Sequence, residues 1–82
     1  MTSKKTIGRW LIQGREKGIY SHMLVLTDTF DYTDYPIYCE NRKAVENEIE
    51  FANTKELTKI TEVYNYSLSL KKQLDEHRVW NI

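Results

Sequence analysis

The chain has 82 residues, 40% of them hydrophobic and 29% charged, with 12 basic and 12 acidic side chains. That is ordinary globular usage and excludes disorder for most of the length. A chain of this size makes one domain, residues 1–82, buries about 60–65% of its unfolded surface and leaves little room for a deep enclosed active site.

The zero net charge is unevenly spread. Residues 1–18 hold five cations against one acid, and residues 28–50 hold seven acids against two cations. A basic start and an acidic middle argue against one nucleic-acid face covering the domain. Cys39 is the single cysteine, so no internal disulfide and no cysteine-built zinc site is available. That usage fits a reducing compartment. No segment has the apolar length of a signal peptide or a membrane span, so a cytoplasmic protein without membrane contact is expected.

Taken in order, residues 1–5 are polar and are expected to fray. Thr6 is the expected N-cap of a helix starting at Ile7, with Ile7, Trp10, Leu11 and Gly14 on one face. Gly14 on that apolar face predicts a close approach to the sheet, and Gly18 a left-handed terminator. Strand one spans about 22–29. Its run Met23-Leu24-Val25-Leu26 does not alternate, which predicts a central strand or one buried on both faces. Strand two covers about 36–40. Pro36 has no amide proton for a ladder bond and belongs at a strand start or an edge. The two strands read as a hairpin whose wide turn contains Asp31 to Tyr35.

Asn41 is the expected N-cap of a second helix with the stripe Ala44, Val45, Ile49 and Ala52, ending near Asn53. Residues 54–58 are ambiguous, and Leu57 to Lys59 fit either helix or strand. Ile60 to Tyr66, rich in β-branched and aromatic types, reads as strand three. A last helix is expected from Leu68 to about Trp80. Ser67 or Ser69 would cap it, Leu70, Leu74 and His77 share one side, and Lys71–Asp75 and Lys72–Glu76 are opposite-charge pairs. The closing Trp80-Asn81-Ile82 is apolar enough to dock back. The fold class is α+β in the order α-β-β-α-β-α, with a three-stranded, mainly antiparallel sheet, strand one central, and helices packed on it. Trp10, Leu11, Leu24, Val25, Leu26, Val45, Ile49, Val63 and Leu74 are the expected core. So small a core, with its many aromatics, also predicts a homodimer.

Gly8-Arg9-Trp10-Leu11, Gly14, Gly18, Ser21-His22-Met23, Asp28-Thr29-Phe30-Asp31-Tyr32, Asp34-Tyr35-Pro36, Glu62-Val63-Tyr64, Gln73-Leu74 and Glu76-His77-Arg78 form a spaced pattern over nearly the whole chain. It resembles a family of small uncharacterised proteins of tailed phages and phage-derived bacterial genes. The hairpin block is its most specific part. The resemblance brings no activity and no catalytic residue. It implies a setting, the bacterial cytoplasm during infection, and a role in controlling or blocking a host system, counter-defence included.

Four constellations bear on chemistry. Asp28, Asp31 and Asp34 recur at intervals of three, which suits either oxygen ligation of Mg²⁺ or Ca²⁺ or Asx-type turn bonds. The spacing is not that of an EF-hand, and no metal site is assigned. Phe30, Asp31, Tyr32, Asp34 and Tyr35 form an acidic, aromatic surface. Acids beside the rings disfavour direct phosphate binding and suit a basic host protein, one otherwise occupied by nucleic acid. The opposing reading is turn packing. His22, His77 and Cys39 lack a local arrangement for nucleophilic catalysis. Glu76-His77-Arg78 is placed to pair with the acidic hairpin. Arg9, Arg15 and Lys17 are the candidate phosphate contacts, against the reading of a solvated helix face. No phosphate loop, dinucleotide fingerprint or nucleophile elbow is present. No cofactor is implied. The leading expectation is a non-enzymatic binding protein acting on a host protein through the hairpin. The alternative is a nucleotide or nucleic-acid binder using helix-one cations and tyrosines, and the third a metal-dependent enzyme at the aspartates.

Overall fold

The protein is described by a computed structural model covering residues 2–54, 57–76 and 79–82. The elements are α1 (Lys4–Lys17), β1 (His22–Asp28), β2 (Asp34–Cys39), α2 (Arg42–Thr54), β3 (Thr58–Asn65) and α3 (Leu70–Asp75). The sheet order is β2-β1-β3, so β1 is central, and both pairings are antiparallel.

The apolar run of β1 is explained by cover on both sides. Met23 and Val25 point to one face, where they pack with Ile7 and Leu11 of α1, Tyr64 of β3 and Val79. Leu24 and Leu26 point to the other, against Cys39, Val63 and Val45 of α2. The domain is therefore three layers, with α1 and α3 on one face and α2 on the opposite one. Of the expected core, Trp10, Ile49 and Leu74 are only partly buried at its rim, while Tyr64 and Val79 are fully inside.

Four boundaries differ from expectation, one of them that of β3, which runs from Thr58 to Asn65 rather than from Ile60 to Tyr66 and so takes in Thr58 and Lys59. The first helix starts at Lys4, not Ile7. Ser3 rather than Thr6 is its N-cap, its hydroxyl accepting from the Thr6 amide at 3.3 Å. Lys4 and Lys5 are thus the first helical turn instead of frayed chain. The second strand starts at Asp34 rather than Pro36, because Asp34 pairs with Thr27 and Tyr35 with Leu26. The last helix is only six residues long. Ser69 is its cap, and the backbone turns extended at Glu76 so that the tail runs beside β3. His77 and Arg78 lie outside the described residues. Lys71–Asp75 and Lys72–Glu76 are not among the ion pairs of the described residues, where Arg42–Glu46 at 3.3 Å is found.

Gly14 is where α1 meets two rings. A Cβ there would overlap the Tyr66 hydroxyl and the Tyr38 ring. Both tyrosines donate to α1 carbonyls, Tyr38 to Trp10 O at 2.7 Å and Tyr66 to Leu11 O at 2.8 Å. Gly18 closes the helix in the left-handed region at φ 72°.

Candidate functional site

The hairpin loop is Thr29 to Thr33, and its own side chains build it. Asp28 Oδ1 accepts the Phe30 amide at 2.8 Å. Asp31 Oδ1 accepts both the amide and the hydroxyl of Thr33, at 3.1 and 2.7 Å. These are Asx-type turns, which tie a short carboxylate to its own backbone. The ladder closes with Tyr32 N–H on Asp28 O at 2.7 Å and Asp28 N–H on Thr33 O at 2.8 Å. Tyr32 sits at φ 59°, a left-handed conformation that costs a non-glycine residue about 1–2 kcal/mol. The bonds on either side of it hold it there. The Thr29 amide also donates to Leu57 O at 2.9 Å, which fixes the loop to the start of β3.

The five residues expected to form one surface divide into two groups. Phe30 is 84% exposed and Tyr32 77%, and Asp31 is exposed between them. Tyr35 is half-buried and packs against the α2-side core, since it alternates with Asp34 along β2. Asp34 lies on the other face as a structural clip. Its Oδ2 accepts the amide and hydroxyl of Thr2, at 3.0 and 2.5 Å, and its Oδ1 the Thr27 hydroxyl at 2.6 Å. Burial works against its charge, but the bonds from Thr2 and Thr27 outweigh it and hold the carboxyl below the usual range. Asp31 is held low by the Thr33 hydroxyl, then the Thr33 amide. All three aspartates thus spend oxygens on the fold, and among the described residues no three His, Cys, Asp or Glu side chains converge.

Leu57 is a site residue that the sequence did not single out. It is 61% exposed, and its carbonyl ties it to the hairpin loop through the Thr29 amide. Its stretch was ambiguous between helix and strand, so no periodicity could point to it.

The α1 cations are exposed but do not converge. Arg15 and Lys17 are about 160° apart around the helix axis. Arg15 lines a groove against α3, and Lys17 lines a separate recess with Gln13, Gly14, Glu16, Tyr20 and Tyr38. Arg9 lines neither. In the second recess the Tyr20 and Tyr38 rings stack, 5.1 Å between centroids and 24° between planes.

The thiol and the described histidine face each other across the β1–β2 pair, at Cys39 and His22. Burial pushes the Cys39 thiol up to about 11, with Glu48 adding to it. Thiolate, the nucleophilic form, is therefore scarce at neutral pH. His22 Nδ1 shares a 2.6 Å bond with Ser21 Oγ, which also reaches Cys39 O at 3.4 Å. Nε2 is buried without a hydrogen-bond partner among the described residues.

Among the described residues no helix is long and apolar enough to cross a membrane. No protein-family model, no curated protein and no solved structure matches the chain.

Proposed function

We propose that the chain is a small non-enzymatic binding protein that inhibits or modulates a host system in the bacterial cytoplasm. It would grip a basic, nucleic-acid-binding host protein with the hairpin tip. One observation carries this reading: Phe30 and Tyr32 stand out in solvent on a turn braced by its own aspartates. Two large exposed rings gain nothing for the monomer core. A ring held in a strained backbone region is more consistent with presentation than with packing. Rigid aromatics offer contact area at low entropy cost, and the exposed Asp31 charge steers a cation-rich partner toward them.

The test is a comparative pull-down from bacterial lysate with three baits: the parent, the pair Phe30→Ser with Tyr32→Ser, and Tyr32→Gly. All three should give the same circular dichroism, because glycine adopts the left-handed turn freely. The parent should retain a basic protein that both variants lose, with retention weakening as salt rises. Equal retention by all three baits overturns the reading.

A second reading, a nucleotide or nucleic-acid binder, has one observation in its favour, the Tyr20–Tyr38 stack beside Lys17. A nucleotide that raises the melting temperature of the parent but not of Lys17→Glu would support it.

A further inference from the structure

We propose a second binding surface, independent of the hairpin: the groove between α1 and α3 takes an acidic peptide segment whose carboxylates flank an apolar side chain. The groove is about 500 Å³ and is floored by Leu11 and Leu74. Ile12 and Leu68 are 49% and 50% exposed at its rim. Apolar side chains that line a concave surface and remain half in water are poorly used by the monomer.

Charge identifies the occupant. Among the described residues the charged lining is Arg15 and Lys71, with no acid. Both are exposed, and neither forms an ion pair among the described residues. Lys71 had an obvious i, i+4 partner in Asp75, yet that pair is not formed. The two cations come from different walls, Arg15 from α1 and Lys71 from the short α3, with the apolar floor between them. An anionic amphiphile carries its charge at one end and would satisfy one wall. A peptide with an acid on each side of a leucine or phenylalanine satisfies both walls and the floor together. The acidic segment 28–50 of this chain has its carboxylates elsewhere, on the hairpin and on α2, so the groove calls for a second molecule.

The experiment is a binding selection on an array of randomised 12-residue peptides. Phosphatidylglycerol vesicles are assayed in parallel. Retained peptides should be enriched in Asp or Glu on both sides of Leu, Ile, Phe or Trp. For the strongest binder, Arg15→Glu with Lys71→Glu should lower affinity by about tenfold or more. Ile12→Ser with Leu68→Ser should do the same, and Phe30→Ser with Tyr32→Ser should leave it unchanged. Arg15→Gln with Lys71→Gln serves if charge reversal disturbs the circular dichroism. Loss with the groove variants alone separates this site from the hairpin, whatever becomes of the hairpin's own partner. Three results overturn the proposal: peptides without acidic enrichment, affinity that survives both groove pairs, or vesicle binding that the groove variants abolish while no acidic peptide is retained.

Discussion

At the scale of single residues, two glycines in one helix have opposite expected effects. Glycine to alanine in a helix interior is favourable by about 1 kcal/mol from propensity alone. At Gly8 a Cβ meets only Leu74 Cδ1 at 3.5 Å, an ordinary contact, so Gly8→Ala should stabilise by about 0.5–1 kcal/mol. At Gly14 the Cβ runs into the Tyr66 hydroxyl and the Tyr38 ring, and neither can yield without breaking its bond to α1. Overpacking outweighs propensity there, and Gly14→Ala should cost about 1–3 kcal/mol. Urea midpoints moving in opposite directions check the pair; a rise for both would show that the rings move freely. His22 gives a pH dependence. Burial, then the Arg42 charge, lowers its pKa below 6.5. The unfolded chain therefore binds the proton first as pH falls through 6.5, and stability should drop between pH 7 and pH 5. Ser21, Cys39 and Arg42 are the groups around it. The carboxyls of Asp31 and Asp34, held below 3.8, act only in more acid solution. Melting temperatures of parent, His22→Gln and His77→Gln across that range decide it: the slope should vanish in the first variant and persist in the second.

At the scale of elements, what could be read in the sequence was local and what could not was long-range. The run at 23–26 announced a strand covered on both sides, because a continuous apolar run fits a strand with neither face wet. Asn41 announced a cap, and its side chain does accept the Ala44 amide at 2.8 Å. The start of β2 was hidden, because it is set by the pairing of Asp34 with Thr27, while the Asp34 carboxylate is clipped by Thr2, 32 positions away in the chain. The end of α3 was hidden for the same reason: the tail leaves the helix to bond Val63, on another element. Opposite Val25 and Leu26 of β1 the β3 register shifts by one residue, so Thr61 falls out of step and blurs the period of two. The candidate site follows the same division. Phe30, Asp31 and Tyr32 were visible through turn chemistry, since Asp-rich turns bind their own amides. Asp34 and Tyr35 looked like turn residues but belong to opposite faces of a strand, and only the pairing with Thr27 and Leu26 separates them.

At the scale of the whole molecule, the last residues join two cores that β1 otherwise keeps apart. Val79 is 1% exposed and belongs to the α1-side cluster, while Ile82 packs on the α2-side cluster. Between them the tail runs parallel to β3 over its outer edge, with Val63 N–H on Val79 O at 2.8 Å and Asn81 N–H on Val63 O at 3.0 Å. The Asn81 side-chain amide also donates to Gln73 Oε1 at 3.0 Å, and that buried oxygen accepts the Asn65 amide at 2.8 Å. The β3 edge is thus covered at Val63, whereas β2, on the other side of β1, is an end strand of the sheet. A homodimer would use β2, and its proline limits how much ladder it can offer; monomer mass by light scattering at high concentration would exclude it. Because the tail touches both clusters, it should couple them into one unfolding unit. Val79→Ala removes two buried methyl groups where Tyr64 and Leu11 cannot close the gap, and should cost about 1.5–3 kcal/mol. Trp10 lies beside the α1-side cluster and Trp80 on the tail strand, so each reports on a different part. In a urea titration with either tryptophan replaced by phenylalanine, the two transitions should coincide in the parent and shift together in Val79→Ala. If only the Trp80 signal moves and Trp10 keeps its midpoint, the tail is a local flap and the two cores unfold independently of it.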